Sequence, residues 1–196
     1  MNRLAIIILC VVATLLAGCA STRPSQFYTL SPSAVSPVAT SANISISVGP
    51  VSIPAVVDRP QIVVRTGANQ VSIAEFDRWA SPLKGDIARV VAENLLSMLR
   101  TPQVTVFPQS TAAEASYRVV IDILRFESEP GKAAILDALW TVSCKKDGQF
   151  RRGRTSITEP AQGSGYAELV AAHSRALGRL SGDIAAATQE MEGQKQ

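Results

Sequence analysis

The segment from Ile44 to Leu83, ISISVGPVSIPAVVDRPQIVVRTGANQVSIAEFDRWASPL, constrains the fold more than any other part of the chain. Ile44, Ile46 and Val48 alternate with Ser45 and Ser47, the period of a half-buried strand. Gly49-Pro50 is expected to break it, and a second apolar run continues to Val57. Ile62-Val63-Val64 and Val71-Ser72-Ile73 then flank the polar turn Thr66-Gly67-Ala68-Asn69, the pattern of a β-hairpin. Phe76-Asp77-Arg78-Trp79 follows and is expected to run into a helix. Within this segment there is no nucleophile motif, metal-ligand cluster or phosphate loop. It reads as a scaffold with a recognition edge.

The remaining chain supplies helices and further strands. Leu83, Ile87, Val90, Val91, Leu95, Met98 and Leu99 make one apolar face, predicting a helix over about 82–100. Ser81 is placed to cap that helix, Pro82 suits its first turn, and Thr101-Pro102 stops it. Val104 to Phe107 is a predicted strand ended by Pro108. Tyr117 to Phe126 is a longer one, with apolar residues on both faces and therefore central in a sheet. Ala133 to Cys144 and Gln149 to Thr158 flank Lys145-Lys146-Asp147-Gly148, where Asp-Gly marks a hairpin. A last helix carries Tyr166, Val170, His173, Leu177, Leu180, Ile184, Ala187 and Met191 on a single seam. These elements predict one α+β domain, a mixed β-sheet packed with two main amphipathic helices.

The start of the chain reads as targeting. The apolar run Leu4 to Leu16 would reach roughly 20 Å as a helix at ~1.5 Å per residue, short of the ~30 Å hydrocarbon core. It is a signal-peptide core. It ends in Leu16-Ala17-Gly18-Cys19, matching the lipobox of bacterial lipoproteins, in which the Cys sulfur takes diacylglycerol. Cleavage before Cys19 makes residues 1–18 a leader, 19–26 a lipidated N-terminus and tether, and 27–191 the folded domain. Covalent diacylglycerol and an N-acyl chain on Cys19 are the non-protein groups expected, with no cofactor. Ala20 follows Cys19 in place of the Asp that often retains lipoproteins in the inner membrane, so the periplasmic face of the outer membrane is the expected location. Phe27 to Leu30 is a candidate first strand; the seven residues before it span at most ~25 Å, and 31–43 reads as a loop rich in Ser, Pro and Ala.

Several function classes are excluded by what is present. With 19 basic and 16 acidic residues, a net charge of +3 is too balanced for a nucleic-acid binder. Arg151, Arg152 and Arg154, with Lys145 and Lys146 across a turn, form the one local basic patch and read as a solvated hairpin. Cys10 leaves with the leader and Cys19 is acylated, so Cys144 has no partner for an intramolecular disulfide and reads as a core residue. The single His173 cannot make a metal site and reads as a half-buried residue at a helix contact. Without a nucleophile–base–orienter set, no catalysis is expected. Asp58 and Asp77 each have an adjacent Arg as a structural partner.

VGPVSIPAVVDRPQIVVR followed by FDRWASPL, together with Phe27-Tyr28-Thr29-Leu30 and the strand from Tyr117, resembles the auxiliary lipoproteins of ABC-type transport systems, the family of paraquat-inducible protein C. The resemblance covers roughly residues 19 to 190. It implies a sheet similar to the anticodon-binding-domain fold. It also implies partnership with an ABC transporter and permease and with a membrane-spanning protein of the MCE type, which together move lipid between membranes and maintain envelope integrity. Homo-oligomerisation is left open. Asp58, Arg59, Arg78 and Trp79 are the candidate partner-binding residues, against the alternative that Trp79 is core with a surface Asp77–Arg78 pair. A different reading shares the anchor and the lack of catalytic residues: an outer-membrane assembly lipoprotein supporting lipopolysaccharide or β-barrel insertion.

Overall fold

The structure, a computed structural model, describes residues 3, 23–33, 44–109 and 114–194. The leader beyond Arg3, Cys19, Ala20 and most of the loop over 31–43 lie outside the described residues. The elements in chain order are β1 (Gln26–Tyr28), β2 (Ile46–Ser52), β3 (Gln61–Gly67), β4 (Gln70–Trp79) and α1 (Leu83–Leu99). They continue with β5 (Val104–Val106), β6 (Tyr117–Glu129), β7 (Ala133–Cys144), β8 (Phe150–Pro160) and α2 (Tyr166–Gly193).

Eight strands of the described chain form one mixed sheet built around β6. β7 lies antiparallel along the whole of one edge of β6, and β8 pairs antiparallel beyond it. The other edge is shared. β2 runs parallel to the first half of β6, from Ile46↔Tyr117 to Ser52↔Asp122, and β3 meets the far end at Val64↔Ser128. β5 extends the sheet beyond β2, while β4 and then β1 extend it beyond β3. Both helices cover one face: α1 packs on β2 and β5, and α2 on β7, β8 and β6, with the helices also packed on each other. The sheet and the two helices thus form a mixed α+β domain.

The predicted hairpin forms on a shorter turn than expected: Thr66 and Gly67 belong to β3, Gly67 stands opposite Gln70, and Val63 lies opposite Ile73. The second forms too, with Ser143 opposite Phe150. Every apolar residue expected on the α1 face is buried, as is the α2 seam apart from the half-buried Tyr166.

Other expectations are corrected. Gly49-Pro50 does not end β2; the strand continues through a bulge between Val48 and Val51. Gly49 sits at φ +118°, a region side chains rarely adopt, so glycine lets the strand absorb the extra residue. Phe76 to Trp79 belongs to β4 and leads into no helix directly. β4 is prolonged because it has partners on both sides there, Gln61 on β3 and β1 on the outer edge. Ser81 makes no cap hydrogen bond; Pro82 holds the cap position of α1. β1 stops at Tyr28, and Phe107 falls just beyond β5.

β6 is central, but not because both of its faces are apolar. Tyr117, Val119, Ile121 and Ile123 point inward; a bulge at Leu124 then shifts the phase, so that Phe126 and Ser128 point inward instead. Read without the bulge, the sequence shows apolar residues on both faces. α2 likewise has two buried sides. His173 meets β6, while Ser181, whose Oγ accepts from Asn94 Nδ2 at 3.2 Å, meets α1.

Candidate partner-contact site at the hairpin–helix joint

Three of the four candidate residues come together. Asp58, Arg59 and Trp79, with Pro60, Ala80, Ser81, Pro82 and Leu83, line one cleft of ≈350 Å³ between the start of β3 and the start of α1. Arg78 is not in its lining. The cleft exists because Pro60 disfavours helical backbone at Arg59 and sends the chain extended into β3. The Pro60 carbonyl then accepts the Trp79 backbone N–H at 2.7 Å, closing the joint.

The side chains divide between scaffold and surface. Trp79 is 6% exposed and meets Phe126 edge-on, with ring centroids 6.3 Å apart. It is core, with one flank lining the cleft. Asp58 does not pair with Arg59: its carboxylate is 2.6 Å from Lys84 Nζ at the start of α1, both groups being close to half exposed. Arg59 is exposed on the rim and belongs to no ion pair among the described residues. Arg78 is half-buried and donates from Nε to the Glu75 carbonyl at 3.0 Å.

The expected surface Asp77–Arg78 pair is absent, because Asp77 is buried and accepts the Tyr28 hydroxyl at 2.9 Å. Adjacent strand residues face opposite sides, so a pair at i, i+1 is disfavoured. Burial, reinforced by that hydrogen bond to Asp77, pushes the Tyr28 phenol up to about 12.

The joint also holds the N-terminal segment, which sequence reasoning missed. β1 pairs in parallel with β4, Tyr28 opposite Trp79, and the Tyr28 carbonyl accepts the Ala80 N–H at 2.8 Å. Asp86, buried in the first turn of α1, accepts the Leu30 N–H at 2.8 Å. It also accepts the Thr29 hydroxyl and, at 2.6 Å, Arg89 Nη2. Arg89 Nη2 in turn donates to the Leu30 carbonyl at 2.7 Å. Ser33 N–H reaches Asn94 Oδ1 at 3.0 Å, and Ser31 N–H reaches Ser174 Oγ at 3.1 Å. The signal was there: Asp86 and Asn94 fall on the apolar stripe of α1, and a polar group on a buried face requires a partner.

His173 is fully buried, against the half-buried position expected. It stacks on Phe126 at 3.9 Å, and Nε2 lies 2.8 Å from Ser128 Oγ. Nδ1 has no hydrogen-bond partner among the described residues. Burial drives its pKa down to about 3, so the ring is neutral. Cys144 is buried as a core thiol. Among the described residues no His, Cys, Asp or Glu group could hold a metal, and no helix is long and apolar enough to cross a membrane.

The fold is a mixed sheet with two helices on one face and a cleft at the joint between β3 and α1. The chain belongs to the family of ABC-type transport auxiliary lipoprotein components, whose profile matches residues 28–185. Among curated proteins, none matches. A crystal structure of an uncharacterized protein superposes with a TM-score of 0.69 at 22% identity, covering 83% of this chain and 97% of that one. A Xanthomonas campestris protein of the DUF330 family does so with a TM-score of 0.67 at 19% identity, covering 87% and 98%. The dodecameric PelC of Paraburkholderia phytofirmans aligns over 74% of this chain with a TM-score of 0.40, too distant to carry an argument.

Proposed function

We propose that this chain is a lipoprotein anchored through Cys19 at the periplasmic face of the outer membrane, where it docks the MCE-type component of an ABC-driven lipid transport system. It performs no catalysis and needs no cofactor beyond the acyl chains on Cys19. One such chain gives only marginal membrane binding, and two or more anchor stably. Membership of the transport auxiliary family supports the partnership, and the Leu-Ala-Gly-Cys sequence with Ala20 supports the anchor and its location.

The observation that carries the reading is the place of the cleft. Tyr28 on β1 lies opposite Trp79, so the tether enters the domain one strand from the cleft rim. A tether of seven residues reaches at most ~25 Å, which keeps Arg59 and Asp58 within reach of a partner arriving at the membrane surface. Arg beside an aromatic anchor is the composition of interface hot spots. Arg78, on the same strand as Trp79, is the second candidate contact.

Co-purification from membranes tests this. Wild-type chain should retain an MCE-type protein, and Arg59→Ala and Arg78→Ala should weaken that retention without changing the melting temperature. Full retention by both variants would remove the joint from the interface. Recovery of a β-barrel or lipopolysaccharide-assembly protein instead would replace the transport reading with the envelope-assembly one.

A further inference from the structure

The sheet face not covered by helices ends in a cluster that the joint cleft does not use. Register places Arg118, Ser143 and Phe150 in one row across β6, β7 and β8, and Val120, Thr141 and Arg152 in the next row on that face. Phe107 follows β5 on the other side of β2. The Arg118 guanidinium lies 5.0 Å from the centre of the Phe107 ring, and the Arg152 guanidinium 4.6 Å from that of Phe150. The rings remain 44% and 51% exposed. Exposed Lys145 and Lys146 stand at the adjoining turn.

Three carboxylates of this face are engaged elsewhere. Asp137 holds Arg154 at 2.6 Å, which takes that arginine out of the patch; Glu127 holds Arg65 and Arg125, and Asp122 accepts the Ser52 hydroxyl. Near the cluster itself, Asp147 accepts the Gln149 N–H in the turn, Glu192 accepts the Tyr117 hydroxyl, and Glu114 is exposed. Among the described residues, neither Arg118 nor Arg152 belongs to an ion pair.

The geometry points to a second membrane contact: Phe107, Phe150, Arg118 and Arg152, with Lys145 and Lys146, form a surface for the headgroups of an anionic leaflet. The shape favours a bilayer over an acidic polypeptide. Five strands at ~4.8 Å spacing spread the cluster over roughly 19 Å, and the joint cleft does not lie between its residues. Two exposed rings set among the cations fit an interface with an apolar layer beneath it, which a soluble acidic chain does not offer. Phe rings suit the acyl boundary, and guanidinium groups suit the phosphates above it. The inference rests on the lipid-anchored reading for bringing this face to a leaflet. Each Lys or Arg close to an anionic surface then adds about fivefold to affinity.

The test is hydrogen exchange on the full chain, reconstituted in vesicles of phosphatidylcholine alone or mixed with phosphatidylglycerol. Flotation with the neutral vesicles comes first, because failure to float removes the anchor reading itself. In a chain that floats, residues 105–109 and 145–152 should gain protection only on the anionic vesicles. That protection should vanish at about 1 M salt, where the Debye length is ~3 Å. It should vanish equally in a variant combining Arg118→Gln, Arg152→Gln, Phe107→Ser and Phe150→Ser, whose melting should match wild type because all four side chains are exposed. Equal protection on both vesicles, or none on either while the chain floats, would overturn the proposal. Protection given by soluble polyglutamate and not by anionic vesicles would overturn it in favour of an acidic protein partner.

Discussion

Trp79 and Trp140 are buried to nearly the same degree, 6% and 9% exposed, on strands that lie on either side of β6. Their surroundings differ. Trp140 lies against Gly153 of the neighbouring strand, where a Cβ would stand 2.1 Å from its ring, and its Nε1–H donates to Thr155 Oγ1 at 3.0 Å. Thr155 donates onward to Asp183 of α2 at 2.5 Å. Space and polar capacity around Trp140 are used up. Trp79 has Phe126 on one side and an open cleft on another. Burial alone would class both as core. What separates scaffold from candidate site is whether the neighbourhood is already satisfied.

The largest effects should come from removing either ring. Trp79→Ala and Trp140→Ala should each cost ~3–5 kcal/mol. Phe substitutions sharpen the contrast. Trp140→Phe takes the indole donor from Thr155 Oγ1, which keeps its bond to Asp183, and should be the more damaging, since a buried hydrogen bond contributes about 0.5–1.5 kcal/mol net. Urea unfolding of both variants checks this, and equal midpoints for the two Phe variants would mean that the two surroundings are not different in kind.

Gly153→Ala is next. The added Cβ must displace the Trp140 ring, an overpacking cost of about 1–3 kcal/mol. The double variant Trp140→Ala with Gly153→Ala should be less destabilised than the sum of the singles, because the clash disappears with the ring. Additive losses would show that Gly153 is there for some reason other than the indole.

Acid should act through His173, which stacks on the Phe126 ring that Trp79 also meets. His173 has a folded pKa of about 3, below its usual 6.5. Above 6.5 both folded and unfolded chains hold it neutral, so stability does not depend on it. As pH falls from 6.5 towards 3 the unfolded chain binds the proton first, and stability drops by up to about 1.4 kcal/mol per pH unit. His173→Phe should flatten that part of the stability profile. An unchanged slope would assign the acid sensitivity to carboxylates.

Much of this architecture was legible, and the failures have two causes. Hairpins and helix faces depend on local period, so the pairing of the strands around Ile62–Val64 and Val71–Ile73, the Asp-Gly turn and the seam of α2 could be read directly. Phase shifts within a strand could not: the bulges after Val48 and at Leu124 each add a residue, and alternation then reports the wrong face. Long-range pairings were equally hidden. Nothing adjacent to Asp58 names Lys84, and nothing adjacent to Asp77 names Tyr28. The candidate cleft was half legible, since the Asp58-Arg59-Pro60 turn and the aromatic before α1 could be singled out but not their distance from β1. The hold of Asp86 and Arg89 on the N-terminal segment spans more than fifty residues, so nothing local to either residue points to it.

The smallest effect discriminates best at the joint. Asp58 is a candidate partner residue, yet its carboxylate already sits 2.6 Å from Lys84, so its role could be wholly internal. Because both groups are close to half exposed, breaking the pair should cost only about 0–1 kcal/mol. Asp58→Lys alone should therefore melt almost like wild type, slightly lowered by repulsion from Lys84. Combining Asp58→Lys with Lys84→Asp restores an ion pair with its sense reversed and should recover that loss. Stability then reads the same for the wild-type and swapped chains, while the charge beside Arg59 on the cleft rim has changed sign. If Asp58 meets the transport partner, the swapped chain should melt normally and fail to co-purify with it. Normal melting with full co-purification would confine Asp58 to bracing the turn against α1, leaving Arg59 as the only charged candidate on the rim.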